Sequence, residues 1–214
     1  YEDARTAFAS VIEQGYETET ARTRLGGVLA CLNDTEPGLK LIQEAVAAEP
    51  SLAPLAAWVC QNAGRVLLER NATDGAANAY RQATVYAPEE PFPWLQLGEC
   101  LRLQEKGEEA VAFWRKSILA APDSQPAKES ARRIDQLLNI RERSVFWRTL
   151  TGEIPDALLP QLCYGFTLVE ENDPGAAPFA GAAPFAGAAP LAAAPAAGAA
   201  AFCAVAGTSA GAPP

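Results

Sequence analysis

One spacing constrains this chain more than any other feature. Trp94, Leu97, Gly98 and Leu101 are followed by Ala110, Trp114, Ser117 and Pro122, and the set recurs 34 residues earlier as Cys60, Ala63, Gly64, Leu67, Ala76, Tyr80, Ala83 and Pro88. A third copy stands 38 residues further back: Leu25, Gly26, Leu29, Gly38, Ile42, Ala45 and Pro50, with Arg22 in the Trp position. A small residue, a bulky residue and a terminal Pro that recur in register describe a unit that cannot bury its apolar face alone. Stacked neighbours must close the core. Pro50, Pro88 and Pro122 end the second helix of each unit, because proline cannot continue a helix. The pattern predicts helices near 18–32, 36–48, 54–70, 73–87, 91–105, 108–121 and 125–140. Gly75 and Gly107 are expected in the turns between paired helices, and the four extra residues in a loop at Ser51-Leu52-Ala53-Pro54.

The order W-x2-L-G-x2-large, then Ala, aromatic, small and Pro resembles the tetratricopeptide repeat (TPR) family. The resemblance runs from about Ala4 to Leu138 and implies an all-α, right-handed superhelical solenoid of antiparallel helix hairpins, TPR-like, with a low-complexity C-terminal tail. Ala4 and Phe8 fall where a second helix would carry them, so the chain is expected to open halfway through a repeat, and its first residue, Tyr1, suggests that the true N-terminus is missing. The repeats and a capping helix, Gln125 to Asn139, are placed at 1–141. An apolar C-terminal extension follows at 142–172, where Pro155 and Pro160 are expected to interrupt helical periodicity. It either folds back on the cap or docks on a partner. The Ala/Pro/Gly-rich tail, 173–214, contains a six-residue repeat with Phe179, Phe185 and Leu191 on one stripe. Such composition buries too little surface to offset ordering entropy.

Composition narrows the function. A net charge of −9 argues against nucleic-acid binding. No apolar run is long enough to cross a membrane. With no His and no CxxC among Cys31, Cys60, Cys100, Cys163 and Cys203, no metal, cofactor or zinc site is expected. The cysteines on repeat helices read as small buried hydrophobes. No poised acid, base or nucleophile stands out, so neither a catalytic role nor a small-molecule substrate is expected. Asn33-Asp34-Thr35 and Asn71-Ala72-Thr73 match glycosylation sequons and read here as turn and cap chemistry.

The resemblance also implies a binding surface, because the family's first helices line the concave groove. Carried onto this chain, that face presents Thr20, Thr23, Gly27 and Ala30, then Trp58, Gln61, Arg65 and Leu68, then Phe92, Leu95, Glu99 and Arg102. The last eight are the candidate partner-binding residues: an apolar strip with a basic edge. The basic set of family members that clamp acidic chaperone tails is absent, since of Gln61, Asn62, Arg65, Phe92 and Gln96 only Asn62 matches. The expected function is a non-catalytic adaptor that holds a protein in this groove. The alternative is a structural subunit of a larger assembly, held through its convex face, extension and tail. A third reading is an accessory region of a larger enzyme.

Overall fold

In a computed structural model, the chain is described over residues 1–172 apart from Glu17 and Asn33. The tail, with its Phe179, Phe185 and Leu191 stripe and Cys203, lies outside the described residues, as does Asn33 of the first sequon. The described residues form ten α-helices and one 3-10 turn, without a strand among them. In chain order the helices are α1 (Glu2–Glu13), α2 (Thr18–Cys31), α3 (Thr35–Ala48), α4 (Ala53–Glu69), α5 (Thr73–Tyr86), α6 (Pro91–Leu103), α7 (Gly107–Ala120), α8 (Gln125–Leu137), α9 (Ile140–Glu153) and α10 (Leu158–Asn172).

The pairs α2–α3, α4–α5 and α6–α7 pack most closely, and each leans on its neighbours. Fully buried Tyr80 and Trp114 fill the interior of the second and third hairpins. Each faces a glycine on the first helix. A Cβ on Gly64 would sit 2.9 Å from the Tyr80 ring, and one on Gly98 would sit 2.5 Å from Trp114 Nε1. In the first hairpin two glycines meet instead, with Gly38 O 2.5 Å from the place of a Gly26 Cβ. These distances explain the recurring glycine. It is kept for close helix approach, against a helix-interior penalty of about 0.5–1 kcal/mol. The second helices stop at Ala48, Tyr86 and Ala120, each two residues before Pro50, Pro88 or Pro122.

Three expectations need correction. Gly75 and Gly107 lie in the first turns of α5 and α7, not in the preceding turns. The turns reverse direction through Asn71 (φ 60°) and Glu105 (φ 63°), so no glycine is needed there. The four extra residues do not form an open loop: Pro50–Leu52 makes the 3-10 turn, and Ala53 and Pro54 open α4. Of the extension's two prolines, Pro155 interrupts the helix as expected and Pro160 does not. Pro155 lies between α9 and α10, and Pro160 occupies the first turn of α10, where a helix has no carbonyl for its missing N–H.

Beyond α8 the described residues fold into one further hairpin. Asn139 starts α9 with a capping box, accepting bonds from Arg141 N and Glu142 N at 3.1 Å each while Glu142 Oε2 accepts from Asn139 N at 3.1 Å. Helices α9 and α10 pack on each other, and Arg143 pairs with Glu170 at 2.8 Å. Buried Trp147 ties this hairpin to α8, donating to Asp135 Oδ1 at 2.9 Å. At the other end, α1 packs on α2. Arg70 donates to the Cys31 carbonyl and lies over the Tyr1 ring, 5.6 Å from its centre.

Candidate protein-binding groove

The first helices α4 and α6 carry the eight expected site residues, and the structure separates them by burial. Trp58 is 50% exposed, whereas Leu95 is 3% exposed. Leu95 lies beneath the surface, and its carbonyl accepts from Trp114 Nε1 at 3.2 Å. Its side chain is not available to a ligand on this face. Gln61, Arg65, Leu68 and Glu99 are half-buried, and Arg102 is exposed. Phe92 is also half-buried, edge-on to Tyr80 with ring centres 6.5 Å apart.

The expected basic edge is largely neutralised by the chain itself. Arg65 pairs with Glu69 at 2.7 Å and Arg102 with Glu99 at 2.6 Å, each within its own helix. Glu99 also faces Arg133 of α8 at 3.6 Å. Arg133 in turn meets Glu129 at 3.1 Å, and Arg132 bonds the same carboxylate. Three guanidiniums and two carboxylates thus form one network across α6 and α8. Burial by itself would raise the Glu99 pKa. The Arg102 hydrogen bond and the charges of Arg133 and Arg132 outweigh it and hold this carboxyl below its ordinary value.

From sequence, Glu129, Arg132 and Arg133 are distinguished only as part of the expected capping helix, Gln125 to Asn139. A signal for two of them existed: Glu129 and Arg133 stand 34 residues after Leu95 and Glu99, at the same places in the next unit. The degenerate α8 sequence, with neither Trp nor Gly at the repeat positions, hid that correspondence.

Cys31, Cys60, Cys100 and Cys163 are buried and unpaired. Burial pushes Cys60 up to about 12, and Cys100, next to Glu99, likewise to about 12. These thiols lie in the core, where burial raises their pKa and favours the protonated form. Among the described residues no group of His, Cys, Asp and Glu has the arrangement of a metal site, and no helix is long and apolar enough to cross a membrane.

No protein-family profile matches the chain. Two curated relatives are Protein O-mannosyl-transferase TMTC1 of Homo sapiens and of Mus musculus. The human protein is 24% identical over 113 residues, and the mouse protein 26% identical over 109. The matches span 53% and 49% of this chain but only 13% and 12% of those proteins. Among solved structures, YrrB, described as a TPR protein with an unusual peptide-binding site, aligns with 78% of this chain and 84% of its own, at a TM-score of 0.44 and 17% identity. The chain's own hairpins, its 34-residue period and its glycine-to-aromatic contacts describe a TPR-like helical solenoid. An array of this kind provides an extended surface suited to protein contact.

Proposed function

We propose that the protein is a non-catalytic adaptor that holds a partner polypeptide along the first helices of its hairpins. The half-exposed indole of Trp58 carries this reading. A large aromatic side chain left accessible on a repeat helix is a residue type that dominates protein interfaces. Phe92 and Leu68 extend the apolar strip. Because the guanidiniums of α6 and α8 already have carboxylate partners, charge adds selectivity more than affinity. A suitable ligand presents an extended or helical segment with apolar anchors and a few acidic side chains.

The test compares the full chain with its Trp58→Ala/Phe92→Ala variant by affinity capture and mass spectrometry, with helicity checked by circular dichroism. Partners lost from a variant of unchanged helicity support the groove. Partners retained by it move binding to another face.

A second reading has its own support. Val145 on α9 and Leu158, Leu162 and Val169 on α10 are exposed apolar residues. They suit an array built into a larger assembly through its terminal hairpin. The name shared by the two curated relatives supports a narrower form of the adaptor reading, in which the hairpins present a protein to a glycosyl-transferring domain.

A further inference from the structure

The hairpin loops share one closure but not one sequence. In each, an amide bonds the carbonyl five residues earlier: Asp34 to Leu29 at 3.0 Å, Ala72 to Leu67 at 2.9 Å and Lys106 to Leu101 at 2.9 Å. The second and third loops add the bonds Asn71 to Leu68 at 2.9 Å and Glu105 to Arg102 at 3.0 Å. These pairs of bonds make the helix-ending motif whose penultimate residue is left-handed. Asn71 holds that place at φ 60°, and Glu105 holds it at φ 63°. A glutamate closes the third loop, which continues as Lys106-Gly107. The turn geometry therefore demands neither Asn at its left-handed residue nor Thr two residues later.

Even so, the first two loops carry Asn33-Asp34-Thr35 and Asn71-Ala72-Thr73. Asn71 is exposed, at the rim of a recess shared with Asp34, Thr35, Asp74 and Asn78. Neither its amide nor the Thr73 hydroxyl has a side-chain hydrogen bond among the described residues. Asn is among the few residues that favour a left-handed turn, so the turn accounts for Asn71, but it leaves unexplained the Thr two residues later and the unused amide.

We infer that Asn71 is an acceptor for an N-linked oligosaccharide, with Asn33 its counterpart by sequence. The donor class is a lipid-diphosphate-linked oligosaccharide. Asn71 Nδ2 forms a bond to C1 of the first sugar while the bond from C1 to the phosphate oxygen breaks. The lipid diphosphate leaves with that electron pair, and the Nδ2 proton passes to a base. The sugar stands at the end of α4, beside the start of α5, and leaves the bodies of α4 and α6 uncovered. This inference is independent of the groove reading.

The test uses the full chain isolated from its native cells and digested with peptide-N-glycosidase F in heavy-oxygen water. The expected result is a fall in mass, with Asn71 converted to Asp carrying the heavy oxygen. Recovery of an unmodified Asn71 peptide overturns the inference. In full-chain variants made in the same cells, Asn71→Gln and Thr73→Ala abolish the conversion, and Thr73→Ser retains it. Thr73→Ala leaves the left-handed residue untouched, so it decides the matter even if Asn71→Gln disturbs the loop. Modification that survives Thr73→Ala also overturns the inference.

Discussion

Asp135 shows how one partly buried carboxyl can oppose the fold it joins. It accepts from Trp147 Nε1, yet burial raises its pKa to about 6, with Glu170 adding to the rise and Arg143 and the indole hydrogen bond opposing it. A carboxyl raised in the folded state favours the protonated form. Its destabilising effect is absent below the unfolded value near 4, grows between about pH 4 and 6, and is full above that range. A shift of this size corresponds to at most about 3 kcal/mol. Asp135→Asn keeps an oxygen for Trp147 and removes the charge. The expected outcome is a gain of about 1–3 kcal/mol at pH 8 that vanishes near pH 4, measured by chemical denaturation at both values. A variant less stable at pH 8 would show that attraction to Arg143 exceeds the burial cost. Gly98 offers a second residue-scale test. A methyl there meets Trp114 at 2.5 Å and the Ala110 carbonyl at 3.1 Å, so Gly98→Ala is expected to destabilise by about 1–3 kcal/mol despite its better helix propensity. The thermal midpoint checks the sign.

Among the elements, α9 and α10 depart most from the sequence reading. Many apolar residues, two prolines and no repeat signature suggested an extension of broken helical periodicity. The Asn139 capping box nucleates α9, and proline in the first turn is compatible with α10. Asn139→Ala removes the acceptor for two amides and is expected to lower stability by about 1 kcal/mol. The loss should be seen first as faster amide exchange at the start of α9. The helices read from the repeat, by contrast, have ends close to those expected, because each end has its own chemical marker. Proline follows every second helix. At α2, α4 and α6 the chain closes through a bond to the carbonyl five residues back. Those loops were less legible. A left-handed Glu105 has no composition signal, and the glycines nearby lie in the first turns of the helices that follow.

In the whole molecule, each hairpin packs chiefly on the helices beside it. Stability in such an array is close to a sum of unit and neighbour terms. Trp114→Ala empties the interior of the third hairpin and is expected to cost about 3–5 kcal/mol. Its effect should be local: hydrogen exchange in α6 and α7 accelerates, while α2 and α3 keep most of their protection. Uniform acceleration would show that the array unfolds as a single unit.

The sequence by itself determined the period, the pairing of helices, the close approach at the recurring glycines and the buried cysteines of the repeat helices, since all depend on residue size at fixed spacing. It also marked α4 and α6 as the candidate binding helices, but not that Trp58 stays half-exposed while Leu95, expected beside it, is buried. Only the tertiary structure decided how charge is distributed there. Arg133 reaches Glu99 from another unit, and Glu129 gathers Arg132 and Arg133. A ladder of charges in one chain segment does not state its partners, because pairing depends on which charged groups the fold brings within about 4 Å of each other.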